Sequence, residues 1–232
     1  PQAVLATGET QRRKILQTYF DTMLFRDMIE HYRIVAAPNV VRYFLKRVMN
    51  NLTKPTSVNS IYNDLKSQGL KVSKDSLYLW LDYACDIFLF HRLQKYSKSI
   101  VKQTSALSKY YVTDFSLAKS VLLPQSDDSG KALENAVYVH LATKLKRDEQ
   151  IFYFNEESEC DFVIVRQDTP DELIQVCWEL TEENTPRETG GILTAAKCLG
   201  CRKAKIITCN QEQTIPGNNF DIEVLPAWKY ML

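Results

Sequence analysis

An α+β fold is predicted by three observations. Residues 11–87 carry apolar side chains at helical spacing, interrupted at Pro38, Pro55 and Gly69. Two short strand-like runs flank a lysine- and serine-rich loop at residues 88–113. Beyond residue 130, a helical stretch is followed by three strands, a second helix and further strands, which calls for a central mixed sheet in an α/β second half.

Leu16, Tyr19, Phe20, Met23, Leu24 and Met28 define an amphipathic helix over 11–33, with Thr10 as its N-cap. Val41, Phe44, Leu45 and Val48 define a second over 40–52. Ser57 caps a third that runs to Ser67, and Gly69 stops it by taking the left-handed conformation. Ser73 caps a fourth, over 74–87. Two helices joined by a short glycine-containing turn make a helix-turn-helix. With the helix before them and strands at 88–96 and 109–113, they read as a winged helix.

Residues 114–123 are a connection, and the polar tract Pro124–Gly130 is the clearest domain boundary. A helix over 131–146 follows. Strands are expected at 151–154, 160–166 and 173–178, a helix at 182–199, and strands at 205–209 and 222–225. The expected organisation is a linker and helix over 1–38, a winged-helix domain over 39–123 and an α/β domain over 124–232.

The chain has 232 residues, 45% hydrophobic and 25% charged, the balance of an ordinary globular protein. No apolar run is long enough to cross a bilayer, and no basic region leads into an apolar one at the start. The expected location is cytoplasmic, with no membrane partner. A start at Pro1 suggests that a preceding segment has been removed. Six cysteines do not make a disulfide scaffold in a chain of this length, and Cys85, Cys160, Cys177 and Cys209 read as reduced thiols. Cys198-x-x-Cys201 has no second ligand pair and reads as a helix-end coincidence.

The net charge of +1 hides a division. Residues 1–123 hold 18 Lys+Arg against 9 Asp+Glu, and residues 124–232 hold 11 against 19. A basic half suits DNA or RNA backbones, or docking on the acidic second half or on an acidic neighbour in a longer protein. The residues expected to meet phosphates are Lys74 on the fourth helix and Lys95, Lys98, Lys102 and Lys109 around the wing. That fourth helix also carries Asp75, Asp82 and Asp86, which argues against sequence readout. Glycine spacing fits neither phosphate-cradling motif, so no ATPase site is expected in this chain.

The candidate chemistry lies in the second half. With the turn placed near Thr169, Asp161 lies opposite Cys177, so Asp161, Gln175 and Cys177 share one face. Glu134 is expected to add a ligand from the preceding helix. This layout resembles the core of PD-(D/E)XK nucleases, in which carboxylates hold Mg²⁺ and a lysine assists. The resemblance implies Glu134, Asp161 and Gln175 as catalytic positions, with Glu134 and Asp161 as metal ligands. Here glutamine replaces one acid and Cys177 the lysine. Two readings stand: a degenerate Mg²⁺-dependent nuclease, or a retained fold that requires no cofactor and whose polar residues satisfy buried hydrogen bonds.

Residues 16–27 (LQTYFDTMLFRD), 57–69 (SVNSIYNDLKSQG), Leu133-Glu134-Asn135, Cys160-Asp161-Phe162-Val163, Leu173-Ile174-Gln175-Val176-Cys177 and Pro226-Ala227-Trp228-Lys229-Tyr230 together resemble the C-terminal region of bacterial and archaeal AAA-type P-loop ATPases. That resemblance spans nearly the whole chain. It implies a winged helix plus a nuclease-like part, partnered by an upstream ATPase module of the same protein. The function it implies is a nucleic-acid-binding or regulatory module, with a nuclease or a protein-docking platform as alternatives.

Overall fold

The computed structural model describes residues 2–122, 129–217 and 219–232. The chain divides into two compact units, Pro1–Arg92 with Ser108–Ser126, and Leu93–Leu107 with Asp127–Leu232. The N-terminal helices therefore join the first unit, and the segment expected as the tip of a wing joins the second. The boundary expected at 124–130 lies largely outside the described residues.

In the first unit, α1 (Gln2–Leu5) precedes α2 (Glu9–Thr22), which widens without a break into a π-helical stretch, Met23–Glu30. Gly8 is the N-cap of α2 and Thr10 lies inside the helix, so Thr10 does not cap it. α3 (Pro38–Asn50) starts on a proline, whose missing N–H is an orphan at that position anyway. Phe20, Leu24, Met28, Phe44 and Leu45 are fully buried together. Burying one such side chain is worth roughly 1.5–3 kcal/mol.

α4 (Val58–Ser67) and α5 (Lys74–Asp86) carry the expected caps: Ser60 N donates to Ser57 Oγ at 3.2 Å, and Ser76 N to Ser73 Oγ at 3.0 Å. Both helices end in the same Schellman motif. After α4, Gly69 N bonds Lys66 O and Leu70 N bonds Leu65 O, with Gly69 at φ 75°. After α5, Phe88 N bonds Cys85 O and Leu89 N bonds Ala84 O, with Phe88 at φ 58°. A side chain in that left-handed region costs on the order of 1–2 kcal/mol. Phe88 therefore belongs to a helix terminus, and β1 begins only at Phe90 (Phe90–Leu93).

β1 pairs with β2 (Lys109–Val112), and Thr56 forms a one-residue antiparallel bridge to Ser108. The loop between the strands contains α6 (Ile100–Ser105), capped by Ser99. The expected connection after β2 is instead a helix, α7 (Phe115–Val121), capped by Asp114. Arg13 and Gln17 of α2 both donate to Ser120 O on α7, at 3.2 and 2.8 Å.

The second unit is an α/β layer structure. α8 (Ser129–Lys144) leads into β3 (Glu149–Asn155), β4 (Glu159–Arg166) and β5 (Thr169–Val176), an antiparallel meander. α9 (Thr185–Leu199) crosses over to β6 (Ala204–Thr208), parallel to β5, and β6 is parallel to β8 (Ile222–Pro226). β7 (Gln213–Ile215) pairs antiparallel with β8 at the edge, giving the order β3-β4-β5-β6-β8-β7. α10 (Ala227–Tyr230) follows. At the other edge, Lys95 bridges Tyr153, with Tyr96 N on Tyr153 O at 2.7 Å and Tyr153 N on Gln94 O at 3.1 Å. Residues 94–96 thus cover the β3 edge, which would otherwise be open to pairing.

Helices cover both sheet faces. α9 packs on β4 and β5, and Gly191 lets it in: a Cβ there would lie 2.0 Å from Glu159 O. α8 lies on the opposite face, where the Tyr138 ring meets Phe162 at 6.1 Å. His140 of α8 meets Tyr230 of α10 at 5.7 Å on that side.

Candidate functional site

The β4–β5 register places Asp161 beside Gln175. Phe162 pairs with Ile174, and one step further brings Asp161 opposite Gln175. The expected partner of Asp161, Cys177, is two residues away. The reason lies in the turn. Gln167 and Asp168 both take positive φ (47° and 62°), closing a two-residue hairpin with Arg166 opposite Thr169, and a bulge between Ile164 and Val165 adds one residue. A two-residue difference preserves the face, so Asp161, Gln175 and Cys177 still lie on the α9 side.

The cluster on that face is hydrogen-bonded and buried. Asp161 N donates to Gln175 Oε1 at 3.2 Å, and Val176 N donates to Asp161 Oδ2 at 2.9 Å. Gln175 Nε2 donates to Glu188 Oε2 at 2.8 Å, and Arg187 Nε donates to Glu188 Oε1 at 3.0 Å. Asp161, Gln175 and Glu188 are 5%, 9% and 3% exposed, so the network sits away from bulk water. The Arg187 side chain is 82% exposed, and its guanidinium is held more firmly protonated by the Glu188 hydrogen bond.

Glu188 and Arg187 were not among the expected site residues. The signal for Glu188 is its place as an acid in the first turn of the helix after the third strand, where the helix dipole favours it. Glu134, expected as a ligand, is half-buried on α8. It lies one turn before Tyr138, in the layer across the sheet from α9. Cys177, expected where a nuclease of that type carries lysine, is a thiol whose Sγ donates to Glu179 O at 3.0 Å, and burial, reinforced by Glu188, pushes its pKa up. Arg187, beside Glu188 on α9, brings a positive charge to this network.

Asp161 Oδ2, Gln175 Oε1 and both Glu188 oxygens already accept protein hydrogen bonds, so a hard cation here would share those oxygens with protein donors or displace them. Among the described residues, no three His, Cys, Asp or Glu side chains are grouped to hold a metal ion. Cys198 is exposed and Cys201 buried, so that pair occupies two different environments.

The five candidate phosphate contacts separate. Lys109 opens β2 with its side chain fully buried, because all four β2 residues are withdrawn from solvent; it is not a surface contact in this fold. Lys95 is three-quarters buried and paired with Glu156 at 3.0 Å. Lys74 is exposed, near the Tyr62 ring. Lys98 and Lys102 are exposed on either side of Ser99, the cap of α6. No described helix is long and apolar enough to cross a membrane.

The family of the domain of unknown function DUF8612 matches residues 1–128. An uncharacterized protein of Methanocaldococcus jannaschii, MJ1544, is 32% identical over 246 aligned residues, covering 100% of this chain and 53% of that protein. An uncharacterized protein of Haemophilus influenzae is 26% identical over 196 residues, covering 83% of this chain and 46% of its own length. The chain thus spans about half the length of these relatives. No solved structure matches it.

Proposed function

We propose that this chain, which belongs to the DUF8612 family, is a non-catalytic nucleic-acid-binding or regulatory module that works in cis with an AAA-type ATPase. The reading takes α3, α4, α5 and the β1–β2 hairpin as a winged helix, and α8 through β6 as a PD-(D/E)XK-like scaffold. The extra length of the relatives leaves room for an ATPase module. The observation that carries the non-catalytic part is the Asp161–Gln175–Glu188 network, in which Asp161 Oδ2, Gln175 Oε1 and both Glu188 oxygens accept from protein donors. Phosphodiester cleavage depends on positive charge placed where negative charge develops. Position 177 offers a thiol instead.

A cleavage assay on DNA and RNA with Mg²⁺ and Mn²⁺ tests this, comparing the chain with Asp161→Ala and Cys177→Lys. No more than trace cutting is expected from the unsubstituted chain. Robust cutting that disappears in Asp161→Ala overturns the proposal in favour of the nuclease.

Nucleic-acid binding is expected to be weak, indifferent to sequence and led by Lys98 and Lys102. On duplex DNA, log K should fall against log salt by about 0.9 per phosphate neutralised. Lys98→Glu with Lys102→Glu should therefore weaken binding to all sequences alike and reduce the slope by about 2. Fluorescence anisotropy across a salt series reads both effects. Binding unaffected by the double substitution would remove these lysines from the interface.

A further inference from the structure

The loop between β1 and β2 carries an apolar tip that the core does not use. Ile100 and Val101 open α6 at 79% and 77% exposed, and no residue of that helix is buried. Exposed Lys98 and Lys102 stand on either side of the pair. Residues 94–107 hold three lysines and no acid. Glu156, paired with Lys95, and Asp168, near Tyr96, stand at the base of the loop rather than at its tip.

A six-residue helix is not stable by itself. This one is held from both ends on a single residue of the β3 edge. Tyr153 N donates to Gln94 O at 3.1 Å, Tyr153 O accepts from Tyr96 N at 2.7 Å, and the Tyr153 hydroxyl donates to Leu107 O. Gln103 Nε2 ties α6 back to Gln94 Oε1 at 3.2 Å. The tip is therefore preformed. Branching at Cβ also restricts χ1 of both Ile100 and Val101, so the pair has little freedom to lose on meeting a partner.

We propose that this tip is a wedge for duplex DNA: Ile100 and Val101 enter the minor groove and part a base step, while Lys98 and Lys102 hold the phosphates beside it. The wedge rests on the nucleic-acid-binding reading above and adds what lysines alone do not supply, a local unstacking of the duplex. Charge complementarity selects an anionic partner, because the exposed lysines flank the apolar pair in a stretch free of acids. Size then selects among partners. Apolar side chains such as Ile, inserted at single base steps, are enough to kink a duplex toward the major groove. A bilayer asks for more: Ile100 and Val101 together carry about half the side-chain carbons of a myristoyl chain, which by itself binds membranes only marginally. A stable protein interface buries about 800 Å² on each partner, beyond the reach of two aliphatic side chains.

The probes are two fluorescein-labelled DNA duplexes of about 20 base pairs, identical except for a single mismatched pair at the centre of one. The full chain is titrated into each across a salt series. A mismatch has already lost part of the stacking that a wedge must break, so the unsubstituted chain should bind the mismatched duplex about tenfold more tightly. Ile100→Ser with Val101→Ser should abolish that preference and leave the salt slope intact, since both lysines remain. The melting temperature should not move, because both side chains stand in water. Equal binding of the two duplexes by the unsubstituted chain overturns the wedge and leaves backbone binding standing. A preference that survives the double substitution also overturns it, by placing the unstacking elsewhere. No binding to either duplex at low salt overturns the nucleic-acid reading, and the wedge with it. Vesicles of phosphatidylserine and phosphatidylcholine form the last arm. Tighter binding to them than to either duplex, lost in the same variant, overturns the wedge by assigning the tip to a lipid surface.

Discussion

Gly191→Ala is expected to destabilise the second unit by about 3 kcal/mol, the upper end of what overpacking costs. A Cβ at position 191 would stand 2.0 Å from Glu159 O and 3.1 Å from Glu159 C, and both contacts are to backbone of β4. A carbonyl inside a sheet cannot rotate away as a side chain would, so α9 must lift off the strand. Helix propensity pulls the other way, since alanine gains about 1 kcal/mol over glycine in a helix interior, but that gain is smaller than the clash. Gly190 supplies the control. It sits one residue earlier in α9, and a Cβ there meets nothing within 4 Å. Gly190→Ala should therefore stabilise by up to about 1 kcal/mol. Thermal melts of the two variants should move in opposite directions, and hydrogen exchange should place the Gly191→Ala loss in β4 and α9. Two shifts of the same sign would mean that α9 does not lie against β4 at Glu159.

The consecutive glycines also show what the sequence can and cannot convey. As letters they weaken a helix assignment, and only the docked helix distinguishes one that is required from one that is incidental. Features encoded over a few residues were legible: Ser57 and Ser73 as caps, Gly69 as a stop, and the shared face of Asp161, Gln175 and Cys177. That last reading survived a wrong register because strand parity ignores a two-residue slip. Features set by packing between distant elements were not legible. Glu188 joins Gln175 only because α9 lies across β5. Lys109 looks like a wing lysine in sequence, and its burial depends on the whole environment of β2. Phe88 reads as strand because aromatic residues favour strands, whereas here it closes a helix. β7, Gln-Thr-Ile, is too short and too polar to carry a strand pattern.

Gln175→Glu should make the stability of the second unit fall with rising pH. The substitution places a carboxyl where the proposed PD-(D/E)XK-like reading would put an acid. It also replaces the Nε2 donor, 2.8 Å from Glu188 Oε2, with an acceptor. Two ionised carboxylates at that distance, each less than a tenth exposed, repel in a low-dielectric setting, so the pair retains a proton. The carboxyl introduced at 175 then titrates above its unfolded value of about 4.3. The folded state binds more protons than the unfolded chain above that pH, so stability is lost as pH rises toward the folded pKa and stays lost beyond it. Against the unsubstituted chain, the variant should be close in stability near pH 4 and about 2–3 kcal/mol weaker at pH 8, the usual cost of a buried group deprived of its partner. Gln175→Leu separates the causes. It removes both hydrogen bonds of the amide, and its loss should show no added pH dependence between 5 and 8 from position 175. Denaturant titrations at pH 5 and pH 8, with and without Mg²⁺, provide the readout. A Gln175→Glu variant as stable as the parent at pH 8 without metal would mean that Gln175 does not hold Glu188 as a hydrogen-bonded partner. Recovery at pH 8 on adding Mg²⁺ would show that Asp161 and its neighbours can turn toward a cation once a second negative charge is supplied. The closed network would then be a metal site silenced by one amide rather than a fold that never held one.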